Sequence, residues 1–98
     1  MSKMTLGGLL YSFFEDHLKM QKGLRPSSLR SYRDTMRLFL SFVAKEVHRK
    51  ITRLSLSDLN FERVLSFLRY LEEERKNHIS TRNQRLSALH SFFEYVAG

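Results

Sequence analysis

Arg30, Arg33 and Arg37 recur at i, i+3 and i+7, so a helix through them would carry three guanidinium groups along one stripe. A guanidinium is permanently charged and offers a planar fork of donors that suits phosphate oxygens, so the chemistry in prospect is anion binding. Lys22 and Arg25 extend that contact towards the N-terminus. A second group has a different character: Asn83, Gln84, Ser87 and His90, with Ser91 beside them, form a polar, nearly uncharged helix face. Such a face suits hydrogen bonding to base edges, although a plain exposed surface would read the same way. Ser80, Thr81 and Arg82 stand at the start of that helix, where free N–H groups and the positive dipole end can meet another phosphate. Arg85 falls near the apolar stripe and is open to either phosphate contact or a role in covering the domain's edge.

Residues that could make or break bonds do not converge. His17, His48, His78 and His90 are scattered, with no i, i+4 pair to offer a metal. Glu72, Glu73 and Glu74 are consecutive and fan around a helix, which argues against a paired-carboxylate site. The chain has no Cys, no Gly-rich phosphate loop and no nucleophile elbow. Neither catalysis, nor a cofactor, nor a metal is expected within these residues.

The charge is unevenly placed. The net charge of +7 belongs to residues 19–53, where ten Lys and Arg stand against Asp34 and Glu46 for a local sum of +8. Residues 57–76 sum to −1 and the two ends nearly cancel. One side of the fold is therefore expected to face a polyanion, with double-stranded DNA the first choice and an acidic protein or anionic lipid the others. Ninety-eight residues, 42% apolar and 28% charged, make one globular domain. No signal peptide and no apolar run of about 18 residues is visible, so no membrane partner and a cytoplasmic, nucleoid-associated location are expected.

Apolar residues repeat with helical period throughout, which predicts an all-α, compact bundle of four helices over about residues 5–20, 28–47, 57–76 and 80–97. The first, with Thr5 as N-cap, buries Leu6, Leu9, Leu10, Phe13, Phe14 and Leu18 and closes at Gly23. The second follows the start signal Pro26-Ser27-Ser28 and buries Leu29, Tyr32, Met36, Phe39, Leu40 and Val43. A basic linker, residues 48–55, is anchored by Ile51 and Leu54. Ser57 opens the third, with Asp58 in its first turn and Phe61, Val64, Leu65, Leu68 and Leu71 inward. Its acids point it away from phosphate. Ser80 caps the fourth, whose core stripe is Leu86, Leu89, Phe93 and Val96, with Phe92 at the margin.

Two stretches together resemble the N-terminal, SAM-like core-binding domain of tyrosine recombinases, the phage-integrase family. Ser27-Ser28-Leu29-Arg30-Ser31-Tyr32 followed by Leu38-Phe39-Leu40 is similar to that family's entry to the second helix. The run from Ser80 to Tyr95 is similar to its Ser-x-Thr-x-Asn-x-x-Leu-Ser-Ala-Leu-x-x-Phe-Phe-x-Tyr pattern, except that Ser and Thr are adjacent here. Between them, Leu56-Ser57-Asp58-Leu59 and Phe67-Leu68-x-x-Leu71-Glu72-Glu73-Glu74 match the third helix. The resemblance spans about Leu6 to Ala97. It implies that the second and fourth helices lie against the major groove, as half of a clamp closed by a larger catalytic domain. That domain's Arg, Lys, His-x-x-Arg, His/Trp and nucleophilic Tyr have no counterpart here, and Tyr11, Tyr32, Tyr70 and Tyr95 all occupy helical positions.

The resulting expectation is a DNA-binding domain of a site-specific recombinase or integrase, active in DNA recombination and integration. The chain would be either part of a longer protein or a naturally short relative, monomeric alone and meeting other recombinase subunits in a synaptic complex. Lys22, Arg25, Arg30, Arg33, Arg37, Ser80, Thr81 and Arg82 would hold phosphates, while Asn83, Gln84, Ser87 and His90 read bases. The rival readings are a helical protein–protein interaction module and a small stand-alone regulator that binds DNA as a dimer.

Overall fold

A computed structural model describes residues 5–98. Thr5 begins the first helix, α1 (Leu6–Ser12), its hydroxyl accepting from the Gly8 N–H at 3.0 Å. The helix then widens without a break into a π-helical segment, Phe13–Gln21. In an α-helix residues five apart sit about 140° apart, but i→i+5 bonding brings them to one face. That is why Phe13 and Leu18 are both wholly buried, while the other predicted stripe residues are half-buried. Gly23, at φ 60°, releases the chain from the segment in the left-handed conformation.

The second helix, α2, spans Pro26–Val47, with Pro26 in the first turn, where its missing N–H costs nothing. Met36, Phe39, Leu40, Val43 and Ala44 make its buried stripe, joined by one polar residue, Thr35. It ends on His48 at φ 56°, a left-handed position usually given to glycine, with the Arg49 N–H returning to the Ala44 carbonyl at 3.0 Å.

The linker differs from expectation. Leu54 is buried but Ile51 is exposed. Two short 3₁₀ turns are present, Ile51–Arg53 within the linker and Leu56–Asp58 where the third helix was expected to begin. Ser55 rather than Ser57 is the cap: its backbone N–H donates to the Asp58 carboxylate at 2.9 Å, completing a capping box. With Asp58 so engaged, the chain turns again at Leu59, and α3 (Phe61–Glu73) starts from Asn60, whose side chain accepts from the Arg63 N–H at 3.0 Å. The later start places Phe61 at the exposed rim and turns Leu65 outward, so Val64, Phe67 and Leu71 form the buried stripe. The helix ends three residues early, closed by Lys76 at φ 51° and the Asn77 N–H on the Leu71 carbonyl.

The last helix, α4 (Ile79–Ala97), has His78 at its N-cap position with no side-chain capping bond, so Ser80 lies inside its first turn. Its buried residues are Ala88, Leu89 and Phe92; Phe92 is central and Leu86 exposed, the reverse of the expected placement. The core is organised by four wholly buried phenylalanines, one from each main segment. Phe13 meets Phe92 edge-on at 5.3 Å and Phe39 meets Phe67 at 5.2 Å, the T-shaped geometry that aromatic quadrupoles favour. The described residues form four main helical segments and no strand, and none of their helices is long and apolar enough to cross a membrane.

Candidate nucleic-acid interface

Helix α2 carries the arginine stripe and one wall of a groove shared with α4. Arg30, Arg33 and Arg37 are all exposed along one of its flanks. The Arg33 guanidinium stands 5.8 Å from the centre of the Phe14 ring, which fixes that flank as the one facing the first helix. The other flank faces α4. There Ser27, Ser28, Ser31 and Tyr32 meet Gln84 and Ser87 across an open groove of about 390 Å³. At 100° per residue Arg37 and Ser31 are about 120° apart around α2. The arginine ridge and the polar face of α4 thus flank α2 on two sides instead of converging on one patch.

Other predicted residues fall into distinct settings. Arg25 is exposed at the N-cap of α2. Lys22 lines a separate groove with His17, Gln21, Ser91, Glu94 and Tyr95, nearer the C-terminal half of α4. Ser80 is exposed and Thr81 half-buried. Arg82 forms an ion pair with Glu72 of α3 and donates to the Asn83 side-chain oxygen at 3.0 Å, so its charge and that acceptor are already engaged. His90 stands 2.8 Å from Glu94, both well exposed, and lines the edge of a groove between α3 and α4, not the one shared with α2. Gln84 and Ser87 are the two predicted base readers that share the groove with α2.

Arg85 lies across the α2–α4 junction, donating at 3.2 Å to the hydroxyl of buried Thr35, while its Nε has no partner. This is the edge-covering role. The Ser27, Ser28 and Ser31 groove wall was not among the expected site residues; its signal is the i, i+4 spacing of small hydroxyl residues at Ser27 and Ser31. Tyr95 pairs with the Ser12 hydroxyl at 2.5 Å and lies against His17, tying α4 to the end of α1 and to the π-helical segment.

Pairing leaves the basic stretch largely free. Within residues 19–53 Lys19 reaches Glu15 at 3.5 Å and Arg49 reaches Asp58 at 3.3 Å; no other Lys or Arg there has a carboxylate within ion-pair distance among the described residues. The Ser55 N–H holds the Asp58 carboxyl below its ordinary pKa, against the opposing effect of burial and with help from Arg49, the Ser55 hydroxyl and Arg63. No group of three or more potential metal ligands occurs among the described residues.

Residues 12–97 match the family model described as phage integrase, N-terminal SAM-like domain. Among curated proteins, the chain is 42% identical over 94 residues to y4rD of Sinorhizobium fredii, described as an integrase/recombinase, covering 96% of this chain and 34% of the relative. It is 37% identical to y4rC of the same organism, covering 95% of this chain and 28% of the relative. It is 32% identical to tyrosine recombinase XerC of Herpetosiphon aurantiacus, covering 87% and 26% respectively. The chain therefore spans about a third or less of the curated relatives it matches. No solved structure matches it. With its four helices and a match over nearly its whole length, the chain belongs to the SAM-like N-terminal domain family of phage integrases, within the tyrosine recombinases.

Proposed function

We propose that this domain grips duplex DNA beside the strand-exchange site of a tyrosine recombinase. The observation that carries the reading is the run of unpaired, exposed cations along α2 and its approach, Lys22, Arg25, Arg30, Arg33 and Arg37. In this reading they hold phosphates and set the register, with the α4 N-terminus adding N–H donors at Ser80 and Thr81. Gln84 and Ser87 are the best-placed base readers, because they share a groove with the hydroxyls of α2. Asn83 and His90 contribute after exchanging Arg82 and Glu94 for base edges. Sequence selectivity from so few readers is weak.

Cleavage and rejoining belong to a catalytic domain outside these residues, and this domain contributes binding without a cofactor. Its partners are double-stranded DNA and other recombinase subunits, in the cytoplasm at the nucleoid. Anisotropy titration of a labelled duplex against salt tests the reading. Five or more neutralised phosphates give a slope of log K against log salt of about −4.5 or steeper. Absence of binding, or binding indifferent to salt, overturns it.

A second reading, a protein-interaction module, has one observation in its favour. Phe61 and Leu86 are exposed beside an apolar groove of about 320 Å³ between α3 and α4. Self-association that persists in high salt, together with failure to bind DNA, would favour it.

A further inference from the structure

The arginine ridge of α2 does not stop at Arg37. Ser41 continues it, and at 100° per residue Lys45 follows about 40° further round, leading into the exposed turn that carries His48, Lys50 and Arg53. Resting on the reading of duplex DNA as the partner, we propose that Lys45, Lys50 and Arg53, with His48 among them, form a second phosphate-binding patch. This patch engages the sugar-phosphate backbone on the far side of the groove from Arg30.

Three features support the assignment. Lys45, Lys50 and Arg53 are exposed and have no carboxylate within ion-pair distance among the described residues. Arg49, in the middle of the cluster, is instead held by Asp58, and Glu46, exposed beside Lys45, makes no ion pair with any of the three. Secondly, Ala44, Lys45, His48, Arg49 and Lys50 line a shallow, open concavity of about 550 Å³ at the end of the helix. His48, in the left-handed conformation that ends α2, lies on the lining of this concavity.

The third feature is length. Arg30 and Lys45 are fifteen residues apart, about 22 Å along the helix at 1.5 Å per residue. The major groove is about 12 Å wide. A helix of that length, laid across a groove, overshoots one wall and meets the backbone beyond it, and the drift of Lys45 around the helix keeps it on the exposed side. The two ends of α2 would then bracket the groove, and α4 would sit beside the bracketed bases.

The test is the salt slope of duplex binding, measured on the whole chain with a labelled 30-bp duplex. If both patches engage, about eight phosphates are neutralised and the wild-type slope is near −7. Replacing the three cations (Lys45→Ala, Lys50→Ala, Arg53→Ala) should return it to about −4.5 and weaken binding at least tenfold at 0.1 M salt. The charge-conserving set Lys45→Arg, Lys50→Arg and Arg53→Lys should keep the wild-type slope, which separates charge from any effect on folding. A wild-type slope near −4.5 that the alanine set leaves unchanged overturns the second patch and leaves the first reading standing. Loss of salt-dependent binding in the wild type itself overturns both. Sedimentation of the same variants covers the other class of partner: an alanine set that dissolves self-association without moving the slope makes the patch a subunit contact and also overturns the proposal.

Discussion

Thr35→Val and Arg85→Met, singly and together, probe the junction that sets the angle between α2 and α4. Thr35 is 1% exposed and its hydroxyl is the acceptor for Arg85 at 3.2 Å. Thr35→Val keeps the shape of the side chain but leaves a guanidinium N–H unpaired in a half-buried site that already holds one unpartnered donor, Arg85 Nε. A hydrogen bond to a charged group contributes about 1.5–3 kcal/mol, so a loss of roughly 2 kcal/mol is expected, equivalent to about 8–16 °C in Tm for a domain of this size. Arg85→Met removes the guanidinium and its unmet donor together, so it should cost about 1 kcal/mol or less. The double variant should resemble Arg85→Met, giving a coupling of about 2 kcal/mol. Urea unfolding measures all three. DNA titration supplies the independent arm: Arg85→Met should leave the salt slope unchanged, because the side chain braces the junction and meets no phosphate. A neutral Thr35→Val, or a slope that falls by about 0.9 in Arg85→Met, would refute the reasoning.

Other consequences are more local. Phe92→Ala should cost about 3–5 kcal/mol by opening a cavity against Phe13, whereas Leu86→Ala, at the exposed rim, should cost less than 1 kcal/mol; thermal unfolding separates them. Asp58→Asn should cost about 1 kcal/mol through the weakened cap at Ser55. Because Asp58 has a depressed pKa in the folded state, its contribution is present above the ordinary carboxylate range and is lost as pH falls through the lower, folded value. A urea series taken down through that acid range should therefore show a smaller loss of stability in Asp58→Asn than in the wild type. His48→Gly should stabilise by about 0.5 kcal/mol, the net of relieving roughly 1–2 kcal/mol of left-handed strain and adding roughly 0.5–1 kcal/mol of unfolded-state entropy. A lowered Tm in His48→Gly would show that the ring itself supports the turn.

How much was legible follows from which signals are local. The start of α2 is written in Pro26 and its buried stripe in a clean period, and both appear in the structure. The burial of Phe13 and Leu18 was legible, but the π-helical path that puts them on one face was not, because a 3.6-residue apolar period carries no signal for i→i+5 bonding. The start of α3 was placed at Ser57, but Ser55 pairs with Asp58 to cap a separate 3₁₀ turn and α3 begins from Asn60, which leaves Phe61 and Leu65 facing outward. In α4 the apolar residues spread widely around the helix, so the choice between Phe92 and Leu86 rested on what packs opposite, and that partner is Phe13 from the far end of the chain. The exposure of Arg30, Arg33 and Arg37 was readable from the α2 pattern alone. That α4 docks on the other flank, and that Arg82 is taken by Glu72, are tertiary facts with no local trace.

The most direct measurement of the central claim is the salt dependence of duplex binding by Arg30→Ala/Arg33→Ala/Arg37→Ala beside the wild type, with circular dichroism showing both folded. All three side chains are exposed, so the fold should survive. The account predicts a slope shallower by about 2.7, three phosphates at about 0.9 each, and a uniform loss of affinity across unrelated sequences. A folded variant with the wild-type slope and affinity would contradict it.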